Sequence, residues 1–178
     1  QPNLALADFI APRESGVRDY IGAFALSAGF EVSSIVQRLE KEHDDYQAIM
    51  LRAIADRLAE AFSEAMHERV RRQLWGHAGA GIRPAPGYPT NPDHTEKLLL
   101  WKLLDAERNT GIVLTENLAM SPAASVCGLY FSHPDSRYFG IGKLPRDQVA
   151  DYAGRKGLEQ GVMEKWLGPH LAYDSANC

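Results

Sequence analysis

A chain of 178 residues with 45% hydrophobic content can bury one substantial core, and residues 1–178 are expected to form a single domain. A formal net charge of -4, with 24% charged residues, excludes a general nucleic-acid binder, and the basic run HERVRR (67–72) reads as the solvated face of an amphipathic helix. No apolar run of about 18 residues occurs, and the N-terminus meets Asp8 and Pro12 before a signal-peptide core can form, so a soluble, cytoplasmic protein without a membrane partner is expected.

The first extended segment is 19–27, where Tyr20, Gly22, Phe24 and Leu26 share one face and Ile21, Ala23 and Ala25 the other, the pattern of a buried strand. Ser34 and Gln37 stand at capping-box spacing, which predicts a short helix over 34–42. Asp44 or Asp45 then caps a longer helix reaching about residue 75. Met50, Ile54, Leu58, Phe62, Met66, Val70 and Leu74 follow at i+4 steps, with Ala53, Ala61 and Ala65 beside them, and read as one apolar stripe lying against a sheet. Asp93 and Glu96 repeat the cap spacing ahead of a helix over 94–108 that Gly111 stops. Residues 125–132 and 138–143 alternate with period two around His133-Pro134-Asp135-Ser136, the pattern of a β-hairpin. Gly128 on its first strand and Gly140 and Gly142 on its second leave either a bare trough for a ligand or a seat for a helix. Two helices close the chain, 145–156 with Gly157 as its stop and about 161–167 before Gly168-Pro169. The one candidate linker is the short run 76–80. Strands and helices mix without a βαβ rhythm, so the expected fold is α+β, a twisted antiparallel sheet with packed helices.

The chemistry concentrates in 81–97, GIRPAPGYPTNPDHTEK. Pro84, Pro86 and Pro89 fix φ and push each preceding residue towards extended conformations, so Arg83 and Tyr88 have little freedom left to lose on binding. Gly87 suits a turn with positive φ or a close backbone approach. Arg83 offers a planar, always-charged fork that fits a carboxylate, or else ties the loop to the domain surface. Tyr88 and Tyr138 present flat faces with hydroxyls, suited to stacking on a nucleoside or covering a cofactor edge, or to core and rim positions. Asp56 and Glu60 lie four apart on an exposed helix face, where they either call for a nearby cation or are simply solvated.

Several catalytic readings fail. His43, His67, His77, His94, His133 and His170 include no HExxH pair, and Cys127 and Cys178 show neither a metal spacing nor a disulfide framework, Cys127 reading as core. No metal site and no catalytic residue is assigned. No nucleophile elbow, Walker loop or GxGxxG fingerprint occurs, so a nucleoside ligand would be held by a loop and a strand edge.

Together with LADFIAP (6–12), SGVRDYIGAFA (15–25), HDDYQAIM (43–50), DRLAEAF (56–62), HERVR (67–71), LTENLAM (114–120), GLYFSHPDSRYF (128–139), RDQVADYA (146–153) and KWLGP (165–169), that loop resembles the activation domain of cobalamin-dependent methionine synthase. The resemblance implies an S-adenosylmethionine-binding reactivation domain that presents the methyl donor for reductive methylation of cob(II)alamin. Arg83 would hold the ligand carboxylate, Ala85 would supply backbone contacts, Tyr138 and Phe139 would flank the adenosine, and Tyr88 would lie near the methyl group. Asp56 and Glu60 would face the cobalamin-binding domain, and a flavodoxin-type reductase would supply the electron. Cobalamin would be held by that separate domain, so the chain alone is not expected to turn over. The acidic residue that meets the ligand's amino group in the family lies upstream of Gln1, which points to a form lacking the family's N-terminal part, and the connection from Trp75 to Gly81 is shorter than usual. An alternative from a different class is a non-catalytic docking module for a cobalamin domain or flavodoxin-type partner, with a vestigial ligand loop.

Overall fold

The computed structural model describes residues 4–76, 79 and 81–175; His77, Ala78 and Ala80 of the expected linker and the terminal Cys178 lie outside them. Strand β1 (Gly22–Ser27) pairs antiparallel with β4 (Ser125–Tyr130), Gly22 opposite Tyr130 and Ser27 opposite Ser125. Phe24 and Leu26 point into the core as the alternation requires. The strand begins three residues later than expected, because the Asp19 carboxylate accepts the backbone N–H groups of Ala11 (2.9 Å) and Tyr20 (2.7 Å) and turns the chain there. A second short ladder joins β2 (Val113–Leu114) to β3 (Met120–Ser121).

The helices are α1 (Val32–Lys41), α2 (Asp45–Arg69), α3 (Glu96–Leu104), α4 (Ala106–Thr110), α5 (Arg146–Lys156) and α6 (Gln160–Trp166). Asp44 caps α2 by accepting from the Gln47 amide at 3.0 Å, as its sequence position suggested. Ser34 caps nothing: α1 begins two residues earlier, and the Ser34 hydroxyl donates to the Glu31 carbonyl at 2.8 Å inside the first turn. The single helix expected over 94–108 is two, since Asp105 adopts φ 45° between α3 and α4, and Gly111 at φ 75° stops the second. Gly157 closes α5 in the left-handed region as predicted.

The expected apolar stripe of α2 is not its buried face. Ala48, Ala55, Ala59, Ser63 and His67 face the protein, while Met50, Ile54, Leu58 and Phe62 are 42–55% exposed. The buried series Ala55, Ala59, Ser63 and His67 keeps the same i+4 rhythm one residue later, about 100° further round the helix, so the spacing alone does not say which of the two parallel stripes faces the sheet. Only Met66 and Val70, late in the series, reach the cluster of Phe24, Leu26, Ala59 and Tyr130. The small buried residues let α2 sit close against β1 and β4. Beyond Arg69 the helix loosens into a π turn (Val70–Leu74) with Trp75 N–H bonded to the Val70 carbonyl at 2.8 Å, and Trp75 folds back edge-on to Tyr130.

The hairpin expected from 125–143 also has a different partner. Residues 138–143 form no ladder with β4; the free edge of β4 is taken by the proline loop. Ile82 and Phe131 exchange both backbone hydrogen bonds at 3.0 Å, and the Leu129 N–H donates to the Pro84 carbonyl at 3.0 Å. Pro84 has no N–H to offer this edge and contributes its carbonyl alone. Gly128 makes the approach possible, for a Cβ there would stand 2.8 Å from the Pro84 carbonyl oxygen and 3.0 Å from the Phe24 ring. Gly140 meets nothing within 4 Å and Gly142 lies at φ 68°, so the three glycines form neither the expected trough nor a helix seat. The result is an α+β fold with a small antiparallel sheet at its centre.

Candidate functional site

The proline loop, extended by β4, forms one wall of a cleft of about 380 Å³ that Arg83, Ala85, Tyr88, Tyr138 and Phe139 all line. Arg83, Tyr88 and Tyr138 were candidates from their own chemistry and Ala85 and Phe139 from the family resemblance, in two segments about 50 residues apart. The floor comes from Phe24 and Val126 on the sheet, and the far wall from Glu60 and Ser63 of α2. Asp56, one turn before Glu60, is not part of this cleft. It lines a second groove, of about 320 Å³, between α1, α2 and Ala123–Ala124.

Loop and opposite wall are stitched together. The Thr90 hydroxyl donates to the Phe139 carbonyl (2.7 Å) and lies 3.2 Å from the Phe139 N–H, while Ile141 N–H reaches the Pro89 carbonyl at 3.3 Å. The Arg83 N–H donates to the Tyr138 phenol oxygen at 3.0 Å. Residues 138–141 therefore run beside the loop instead of beside β4. Behind them Phe9, from the N-terminal segment, stands 6.2 Å ring to ring from Phe139 and joins Ile82 and Phe131 in a small core. The aromatic rings of Tyr88 and Tyr138 stay more than half exposed at the cleft mouth.

Gly87 has φ 96°, the positive value its position suggested, and the close approach it permits is to a protein ring: a Cβ there would lie 2.2 Å from His94. His94 faces the Lys97 ammonium at 3.1 Å, and buried Lys97 donates to the Leu118 carbonyl at 2.8 Å. Asp93 keeps a capping contact, its Oδ1 accepting from the Thr95 amide at 2.8 Å, but its other oxygen and Glu96 hold Lys156 of α5, at 2.6 Å and 2.7 Å, and each acid has an oxygen 2.8 Å from the Tyr152 hydroxyl. Burial alone would raise the pKa of Asp93, but its bonds to Lys156, Thr95 and Tyr152 hold it below the ordinary carboxylate value. The loop thus ends on a saturated ionic cluster.

Arg83, by contrast, is only partly engaged. One terminal nitrogen bonds the Glu64 carboxylate at 2.6 Å, and the other faces Nδ1 of His67 at 3.5 Å. Burial, then the charges of Arg71 and Arg83, lower the His67 pKa to about 4, so the ring is neutral at pH 7 and can accept from Arg83. His67 stacks on Tyr130 (5.1 Å, 13°), which stacks on Phe24 (4.7 Å, 18°), tying the arginine's support to the sheet. Glu64 and Ser63 were not singled out in the sequence, although they sit one turn beyond Glu60. Phe24, Val126 and Thr90 carried no chemical signal of their own. The arrangement can hold a flat heteroaromatic group between exposed rings and a carboxylate on the arginine fork. Among the described residues no group of three or more His, Cys, Asp or Glu side chains could hold a metal ion, and no helix is long and apolar enough to cross a membrane.

Residues 1–157 match the family model described as vitamin B12 dependent methionine synthase, activation domain. A solved structure of the MetH reactivation domain bound to AdoHcy superposes on this chain with a TM-score of 0.93 at 53% sequence identity. The match covers 95% of this chain and 56% of that one.

Proposed function

The chain belongs to the family of vitamin B12-dependent methionine synthase activation domains, and from that premise we propose that it binds S-adenosylmethionine in the cleft and presents the methyl group to cobalamin held by a separate domain. The observation that carries this reading is the convergence of Arg83, Ala85, Tyr88, Tyr138 and Phe139 on one cleft, in a chain half identical to a domain that binds AdoHcy. Arg83 takes the ligand carboxylate, Tyr138 and Phe139 flank the adenosine, Ala85 offers backbone groups, and Tyr88 at the mouth lies by the sulfonium methyl. The protein's contribution is orientation, fixing the methyl in a direction of attack. Cobalamin, held by the separate domain, would supply the methyl-accepting chemistry, with a flavodoxin-type partner as the electron source and S-adenosylhomocysteine left in the cleft.

In this reading the 178 residues act as a single domain of a larger cytoplasmic enzyme, and Asp56 and Glu60, exposed on α2, meet the cobalamin-binding domain. A vestigial loop is not favoured, because the loop is fixed at both ends and walls an open cleft. Isothermal titration of the 178-residue chain with S-adenosylmethionine tests the proposal. Saturable one-to-one binding is expected, and its absence from a folded chain would return the cleft to a docking role.

A further inference from the structure

The loop that walls the cleft is short of backbone donors. Pro84, Pro86, Pro89 and Pro92 have none, and Gly87, Tyr88 and Asn91 spend theirs inside the loop's own turns, on the carbonyls of Asn91, Ala85 and Tyr88. Residues 138–141 run beside this loop without a ladder, so something other than paired peptides must hold them there. Most of that task falls to one side chain. The Thr90 hydroxyl donates to the Phe139 carbonyl at 2.7 Å and accepts the Phe139 N–H at 3.2 Å, so a single oxygen does what a hydrogen-bonded pair of strand residues does with two peptides. Thr90 is buried, lines the cleft, and reaches across 49 residues of sequence. Among the described residues the other hydrogen bonds between the two segments are that of the Arg83 N–H to the exposed Tyr138 phenol and the longer one from the Ile141 N–H to the Pro89 carbonyl.

We propose that Thr90 is a positioning residue for the adenosine end of the ligand: its hydroxyl fixes the spacing between the loop and the segment of Tyr138 and Phe139 before the ligand arrives. Phe9 closes the side behind Phe139, 6.2 Å ring to ring, and Thr90 sets how far forward that segment stands. A gap formed in advance spares a flat ligand the ordering of its walls. Thr90→Val keeps the shape of the side chain and removes the hydroxyl, so the Phe139 N–H and carbonyl must turn to water, and residues 138–141 must move off the loop to reach it. The proposal rests on the reading of the cleft as an S-adenosylmethionine site and adds the residue that sets its width.

The test titrates S-adenosylhomocysteine and 5′-methylthioadenosine, which keeps the adenosine end and lacks the amino acid, into the 178-residue chain and its Thr90→Val, Thr90→Ser and Arg83→Ala variants, with circular dichroism to confirm folding. Thr90→Val should weaken both ligands by the same factor, about three- to tenfold, and Thr90→Ser, which keeps the hydroxyl, should stay within about twofold. Arg83→Ala should weaken S-adenosylhomocysteine alone. Unchanged affinity in folded Thr90→Val, or a loss confined to S-adenosylhomocysteine, would overturn the proposal. So would an equal loss in Thr90→Ser, which would assign the effect to packing of the Thr90 methyl group. Amide exchange on the unaltered chain gives a check that needs no variant: the Phe139 N–H should be protected, and exchange at the rate of a free amide would overturn the proposal as well. Failure of the unaltered chain to bind S-adenosylhomocysteine would instead bring down the cleft assignment, and the role of Thr90 with it, whatever the exchange rate at Phe139.

Discussion

Lys156 and Arg83 meet carboxylates at the two ends of the same loop, yet one is enclosed and the other is not. Lys156 has oxygens of Asp93, Thr95 and Glu96 within 2.7 Å, and Asp93 is almost wholly buried. Arg83 has one short bond, to an exposed acid, and one long contact to a histidine. A cation whose main partners, Asp93 and Thr95, are buried protein groups can only hold. One whose partner is solvated can trade that partner for a ligand at small cost. The loop is thus anchored where nothing needs to change and left open where something must bind.

The largest expected effect comes from breaking the closed end. Lys156→Met should cost about 3–5 kcal/mol, because it leaves Asp93 charged, buried and without its main partner. Urea unfolding followed by circular dichroism measures it, and Lys156→Arg should recover part of the loss. A loss below about 1 kcal/mol would mean that Asp93 simply takes up a proton.

At the open end His67 makes stability depend on pH. Its folded pKa of about 4 lies below the ordinary imidazole value of 6.5, so the unfolded chain binds the extra proton first as pH falls. Stability should drop between about pH 6.5 and pH 4 by up to ~3 kcal/mol, an upper value for a group beside an exposed ion pair, and then level off as far as this residue is concerned. His67→Gln should flatten that portion of the curve. An unchanged slope would assign it to other groups.

Arg83→Ala should weaken S-adenosylmethionine binding by about 1.5–3 kcal/mol while the fold survives. Unchanged affinity in a folded variant would remove Arg83 from the site. Between the two ends, Gly128→Ala should cost about 1–3 kcal/mol by forcing the Pro84 carbonyl off β4, whereas Gly140→Ala, with open space around it, should stay within about 0.5 kcal/mol. Equal effects would mean that the loop does not depend on its seat against the sheet. Smallest of all on the isolated chain is Asp56→Asn with Glu60→Gln, two exposed positions expected to leave the melting temperature nearly unchanged. In the full-length enzyme the pair should slow reactivation, and normal reactivation would make this a solvated face.

Features set by neighbouring residues were legible in the sequence. Asp44 as a cap, Gly111 and Gly157 as stops, the ends of α5, and the stiff presentation of Arg83 and Tyr88 all follow from local backbone chemistry. Features that depend on a distant partner were not. The run after Ser136 alternates as a strand would, but its partner is the loop about 50 residues earlier, which nothing in the alternation identifies. Asp93 does accept from the Thr95 amide, as its spacing suggested, yet the hold of Lys156 and Tyr152, some 60 residues on, on its other oxygen and on Glu96 has no local signal. On α2 the i+4 series of large apolar residues and Ala53, Ala61 and Ala65 drew attention, all of them exposed but Met66, while Ala48, Ala55 and Ala59, which decide how close the helix lies, carry no side-chain signal to single them out.

The bare hydrocarbon along α2 has a practical consequence for anyone measuring these quantities. Tyr46, Ile49, Met50, Ile54, Leu58 and Phe62 all lie open to water on the one long helix. An environment-sensitive dye will find such a surface before heating begins, so fluorescence from the native chain should start high, and the rise on melting should be shallow. Ellipticity or intrinsic tryptophan emission will report unfolding where a dye-based thermal shift reports the helix.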